Sequence, residues 1–289
     1  MKQIISIIQL LIVTIFWGSG FIFGKISLTE ITAANFVFLR YCMATISLIP
    51  FLVSSNYRSK INLISIKYGF ILGLLQYLVL LLQMIGLETL TASLSGFLIG
   101  LSVVFIVFIQ TIFQKKKIRF TTILAICGCL SGLYLLSGDF GQVSHLGLFF
   151  AISAAFVSSI YFFALDHYSK FVNPVILTLI EMFSTVIYGG LFMIINRESF
   201  MLPTKGAIWI GLLVCGIGGS SVAYYLQNVA QKNLGILKTS LLLQLEPIFS
   251  AIFAKYFLNE LINTQAYIGM IIMVISIVYI NICLYKHKN

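Results

Sequence analysis

The stretch that decides the fold runs from Leu237 to Glu260, LKTSLLLQLEPIFSAIFAKYFLNE. It reads as a membrane-spanning helix that carries a carboxylate, Glu246, directly before a proline, Pro247. A carboxylate at mid-bilayer costs several kcal/mol. A mid-helix proline removes a backbone hydrogen bond and clashes with the preceding turn. Two such penalties side by side point to a site, with Pro247 as its hinge and the neighbouring Gln244 as a further polar group at the same depth.

The rest of the chain supplies the membrane. Of its 289 residues 60% are hydrophobic and 9% charged, with a mean hydropathy of +1.06; soluble chains run near one-quarter charged. Ten apolar segments are bounded by charges or turn residues, at approximately 4–23, 33–53, 66–87, 90–113, 120–137, 146–165, 174–195, 206–230, 236–257 and 264–285. The expected fold is an all-α membrane protein with ten transmembrane helices. The first segment is too long for a signal-peptide core and leads straight into further spans.

The net charge of +10 serves topology rather than nucleic acid. With the N-terminus inside, the inner connections collect Lys2, Arg58, Lys60, Lys67, Lys115, Lys116, Lys117, Arg119, Lys170, Lys232, Lys238, Lys286 and Lys288. The outer ones hold Lys25, Arg197, Lys205 and Lys255. By the positive-inside rule both termini face the cytoplasm of a cell with an inner (plasma) membrane of bacterial type. The five cysteines all fall in apolar runs, without disulfide or metal-site spacing.

The chain also repeats. A shift of about 144 positions lays Leu82-Gln83 on Leu226-Gln227, Val103 on Pro247 and Gly132 on Ser276; a slightly shorter shift lays Arg40 on Glu181. Residues 1–140 and 141–289 are thus two five-helix repeats, and five being odd, the second is inverted. Lys115-Lys-Lys-Ile-Arg119 aligns with Asn259-Glu-Leu-Ile-Asn263, opposite charge for opposite orientation. Glu246 aligns with Ser102, so one half alone carries the acid. Small residues four apart (Gly20/Gly24, Gly69/Gly73, Gly96/Gly100, Gly128/Gly132) let helix backbones approach closely.

Polar side chains at depth mark the candidate substrate site. Glu246 lies roughly 15 Å into its span, where inverted-repeat transporters bind their cargo; it is either a substrate contact, a titrating group, or a carboxyl held by hydroxyls such as Ser250. Arg40 and Glu181 face the cavity from opposite ends, attracting a carboxylate and an amine, or else pair structurally. Gln76 and Gln83 share one face, Ser220, Tyr224 and Gln227 another. Trp17 and Tyr161 complete the midplane set, Trp17 lying away from the interfaces where tryptophans normally sit. The tripeptide Asp139-Phe-Gly141 lacks any kinase context, and no Walker, nucleophile-elbow or zincin motif is present. The sequence contains no case for an enzyme, a metal or a cofactor.

Trp17-Gly-Ser-Gly-Phe21, Arg40 in the second span, and Leu245-Glu-Pro-Ile248 followed by Leu258-Asn-Glu260 together resemble the EamA-type proteins of the drug/metabolite transporter superfamily. Asn259 stands where that pattern has Gly; Val103 and Lys116 replace the proline and the acid in the first half. The resemblance covers the whole chain. It implies alternating access around a central cavity, the fifth and tenth helices joining the halves, and small metabolites as cargo.

The expected function is secondary transport of small polar or zwitterionic metabolites, amino acids or related compounds, by a monomer. Coupling is by proton antiport through Glu246, by exchange or by facilitated movement. The rivals are an exchanger of nucleotide conjugates or organic phosphates, which needs several cavity cations, and a non-transporting scaffold, which needs no cavity.

Overall fold

The computed structural model describes residues 2–113, 115, 119–137 and 144–286. Lys116 and Asp139-Phe-Gly141 lie outside them. Among the described residues all regular structure is helical. Eight helices are long and apolar enough to cross a membrane: α1 (Lys2–Ser27), α2 (Ala33–Val53), α3 (Leu63–Thr89), α4 (Ala92–Ile112), α6 (His145–Tyr168), α7 (Pro174–Ile195), α8 (Gly206–Leu234) and α9 (Ile236–Leu258). Two more, α5 (Phe120–Ser137) and α10 (Thr264–Lys286), contain shorter apolar runs.

The molecule exposes apolar side chains and buries a set of polar and charged ones among its apolar core. Ile4, Ile8, Ile12 and Ile15 form an exposed stripe on α1, and Ile268, Ile271, Ile275 and Val278 another on α10. Arg40, Gln76, Glu181, Gln227, Asn228, Gln244 and Glu246 are buried. In water that distribution would be unstable; in lipid, where apolar surface carries no penalty and polar groups need partners, it is the favoured one.

Packing comes in mated pairs. α1 lies on α9 and α8, while α6 lies on α4 and α3; α2 meets α8, and α3 meets α7; α5 packs along α10. Missing side chains set the closest approaches. A Cβ on Gly18 would come within 2.9 Å of the Ser250 backbone, one on Gly73 within 2.7 Å of the Glu181 carbonyl, and one on Gly132 within 2.6 Å of the Gly269 carbonyl.

α4 and α9 are both interrupted. α9 breaks at Gln244-Leu245 and restarts at Glu246 with Pro247 in its first turn. α4 breaks at Leu101 and restarts at Ser102. Leu101 and Leu245 are 144 positions apart, so the break survives in α4 although Val103 replaces the proline. The Gln244 side chain, donating from Nε2 to the Gly100 carbonyl at 2.9 Å, ties the two breaks together.

The far end of α9 explains Asn259. That residue caps the helix in the left-handed region, φ 55 and ψ 29, a conformation Gly and Asn adopt at least cost. Glu260 is thereby turned onto the start of α4, accepting from the Ala92 N–H at 3.2 Å and the Ser93 hydroxyl at 2.6 Å. Lys25 covers the adjoining end of α3, donating to the carbonyls of Leu87 and Leu90 at 2.7 and 2.8 Å.

Gly132→Ala is expected to destabilise the protein by about 1–3 kcal/mol through overpacking, read as a lowered thermal-unfolding midpoint. Gly206→Ala, where an added Cβ meets nothing within 4 Å, is expected to leave the midpoint in place.

Candidate functional site

The site begins with a distortion in α8. The segment Val214-Cys-Gly-Ile-Gly-Gly-Ser-Ser-Val222 is π-helical. The Ala223 N–H reaches back to Gly218 rather than to Gly219, which leaves the Gly219 carbonyl available to side chains. Two donors take it: Trp17 Nε1 at 2.9 Å and Arg40 Nη2 at 3.2 Å. Arg40 Nε also donates to the Ser220 hydroxyl at 2.9 Å, and that hydroxyl donates to the Cys215 carbonyl at 3.0 Å. π-Helical turns expose backbone groups that a regular helix would consume. Glycines make room: a Cβ on Gly216 would sit 2.8 Å from the Arg40 carbonyl. A buried guanidinium is thus held on one edge, its remaining N–H groups free for a ligand.

Beside it is a cavity with about 60 Å³ of room for the centres of water-sized molecules, inside an envelope of about 740 Å³. Trp17 and Arg40 line it from the first two helices, Gln76 and Gln83 from α3, Tyr161 from α6, Tyr224 from α8, and Gln244, Glu246 and Pro247 from the break in α9. The α4 break adds Gly100 and Ser102. Trp17 and Tyr224 meet with ring centroids 5.1 Å apart, and Tyr161 stands edge-on to Tyr224 at 6.1 Å. Gln76 Nε2 donates to the Tyr41 hydroxyl at 2.8 Å and to that of Tyr224. The aromatic wall is therefore oriented from behind.

Arg40 and Glu246 both line this space, yet among the described residues neither forms an ion pair. A guanidinium and a carboxyl thus face one small cavity without pairing. Ser250 does not hold Glu246; its hydroxyl donates to the Ala92 carbonyl at 3.2 Å.

Two of the residues expected at the cavity lie behind it. Ser220 orients Arg40. Glu181 is 0% exposed and accepts from the Tyr161 hydroxyl at 2.7 Å, so Tyr161 stands between it and the cavity. Arg40 and Glu181 do not pair, although α2 and α7 adjoin. Their hydrogen-bond partners turn them apart, Arg40 to α8 and Glu181 to α6. The role of Gly219 was missed by sequence reasoning. Its signal was there: three glycines and two serines between Gly216 and Ser221, inside a span.

The EamA-like transporter family model matches this chain twice, over residues 4–138 and 145–282. The chain belongs to the EamA-like transporter family. It is accordingly a multi-pass membrane transporter. An uncharacterized transporter from Archaeoglobus fulgidus is 25% identical over 287 residues, 97% of this chain and 87% of that one. A solved structure described only as "Crystal structure of protein" superposes with a TM-score of 0.79 at 15% identity, over 98% of this chain and 99% of that one; it shares the fold.

Gln76→Leu in this EamA protein would leave the Tyr41 and Tyr224 hydroxyls without their common donor. The expected cost is about 1–3 kcal/mol, measured as a loss of thermal stability, while Gln83→Leu, whose side chain makes no comparable bridge, is expected to cost less.

Proposed function

We propose that this EamA protein moves small zwitterionic metabolites, with amino acids the leading class, across the cytoplasmic (inner) membrane by alternating access. One observation carries the reading: Arg40 and Glu246 line the same small cavity and leave each other unpaired. A substrate with a carboxylate and an amine completes both. Arg40 offers the carboxylate its free guanidinium N–H groups, a geometry suited to bidentate contact. Glu246 takes the amine, and Trp17, Tyr161 and Tyr224 pack the apolar part. Interrupted helices at the cavity add half-helix ends, whose dipoles suit a charged cargo.

The architecture proposed for the transport cycle is ten spans in two inverted five-helix repeats, 1–140 and 141–289, with both termini cytoplasmic. Three features support it: the paired family matches, the mated helix contacts, and the helix breaks at Leu101 and Leu245. The two halves rock about the tie between Gln244 and Gly100, with Pro247 as the hinge of α9, in a protein that works as a monomer. An organic-phosphate exchanger is disfavoured, because Arg40 is the lone basic side chain among the described lining residues and an acid sits opposite it.

Thermal-shift titration of the purified protein is expected to show stabilisation by amino acids. Removing the substrate's carboxylate or blocking its amine should each weaken binding by about 1.5–3 kcal/mol, the worth of one charge-assisted hydrogen bond. Arg40→Ala should erase the preference for the carboxylate, and Glu246→Ala the preference for the amine. Stabilisation by nucleotide conjugates or sugar phosphates alone would sink the proposal.

A further inference from the structure

We propose that Glu181, and not the cavity-lining Glu246, is the group that takes up and releases a proton during the transport cycle, with Tyr161 as its connection to the cavity. The inference deepens the transport reading and rests on it for the purpose of the proton, though not for its location.

The geometry separates the two acids. Glu246 lines the cavity, as Arg40 does. Glu181 is 0% exposed, outside the cavity, and among the described residues no cation pairs with it. A carboxylate sealed in this way is costly in its charged form unless bonds or counter-charges compensate. One oxygen, Oε1, accepts from the Tyr161 hydroxyl at 2.7 Å. The other, Oε2, is buried and has no partner. The Asn228 side chain lies within hydrogen-bonding reach of the carboxyl and also donates from Nδ2 to the Thr178 hydroxyl at 2.7 Å. A proton on Oε2 removes the buried charge.

Among the described residues no ion pair reaches the Glu181 carboxyl. Tyr161 from α6, Tyr224 from α8 and Tyr41 from α2 are the titratable groups that face Glu181. Arg40, also on α2, is committed to Gly219 and Ser220 of α8. From its own helix, Ser184 and Thr185 donate to the Gly69 and Gly73 carbonyls of α3 at 3.1 Å each, which fixes the helix without touching the carboxyl.

Tyr161 joins this pocket to the cavity, which its side chain lines. For uptake, the Tyr161 hydroxyl passes its proton to Glu181 Oε1 while the phenolic oxygen takes one from hydronium in the cavity. The net change is one proton gained by Glu181 and one positive charge lost from the cavity. Rotation of the neutral carboxyl then turns its O–H away from Tyr161. Release reverses these steps.

The test is infrared spectroscopy of the full chain in nanodiscs, following the C=O stretch of protonated carboxyl groups near neutral pH. The wild type is expected to show such a band. Glu181→Gln should remove it, Tyr161→Phe should shift it by deleting a hydrogen bond to the C=O, and Glu246→Gln should leave it. A band that persists in folded Glu181→Gln protein, or one that disappears in Glu246→Gln, overturns the proposal. If Glu181→Gln does not fold, Tyr161→Phe decides, and an unmoved band overturns it. In proteoliposomes, with a radiolabelled mixture of the standard amino acids as probe, a pH gradient should drive accumulation by the wild type and fail to drive it in Glu181→Gln. Accumulation driven by a sodium gradient and indifferent to pH would overturn the coupling. Should the mixture fail to move in any variant while the band follows Glu181, the amino-acid reading falls and the proton site stands.

Discussion

A guanidinium only 4% exposed inside a membrane bundle is the constraint on which the rest of this structure depends. Arg40 cannot shed its charge, so its N–H groups need oxygen acceptors in place of water. A regular α8 would keep its carbonyls for itself. The π-helical stretch at Val214–Val222 gives up one of them, Gly219, and the Ser220 hydroxyl supplies a second acceptor. The same carbonyl takes the Trp17 indole, so one backbone distortion positions both a cation and the adjoining aromatic wall. The glycines at 216, 218 and 219 are what allow α8 to lie that close to α1 and α2.

The two halves of the chain share geometry but divide the chemistry. Leu101 and Leu245 interrupt their helices at matched positions, and a side chain from one break bonds the backbone of the other. Only α9 carries the acid and the proline there; only α2 carries the arginine. The cavity in between is polar on unlike terms, with a fixed cation from the first half and a carboxylate from the second.

The α4 break also shows that proline is not required for the interruption. Gly100, whose missing side chain admits the Gln244 amide, sits at the end of the first α4 segment, and Ser102 begins the next. Packing against the partner helix sustains a bend that local sequence would not dictate. Asn259 makes the complementary point: its left-handed backbone at the end of α9 leaves Glu260 aimed at the start of α4.

Composition, the spacing of apolar runs and the placement of Lys and Arg were enough to place this chain in a membrane, because bilayer thickness and the cost of charge in lipid act on each segment independently of its neighbours. The cost argument also singled out Arg40, Glu181 and Glu246, and polar faces marked Trp17, Gln76, Tyr161, Tyr224, Gln244 and Pro247; all of these except Glu181 line one cavity. Which helix face carries polar groups was legible; partners were not. That Arg40 turns to α8 while Glu181 hides behind Tyr161, that Ser220 serves the arginine and not the cavity, and that Gly219 gives up its carbonyl are all settled between helices far apart in the chain. Hydrogen bonding in a low-dielectric interior is decided by sub-ångström geometry across those contacts, and periodicity along a single helix carries no record of it.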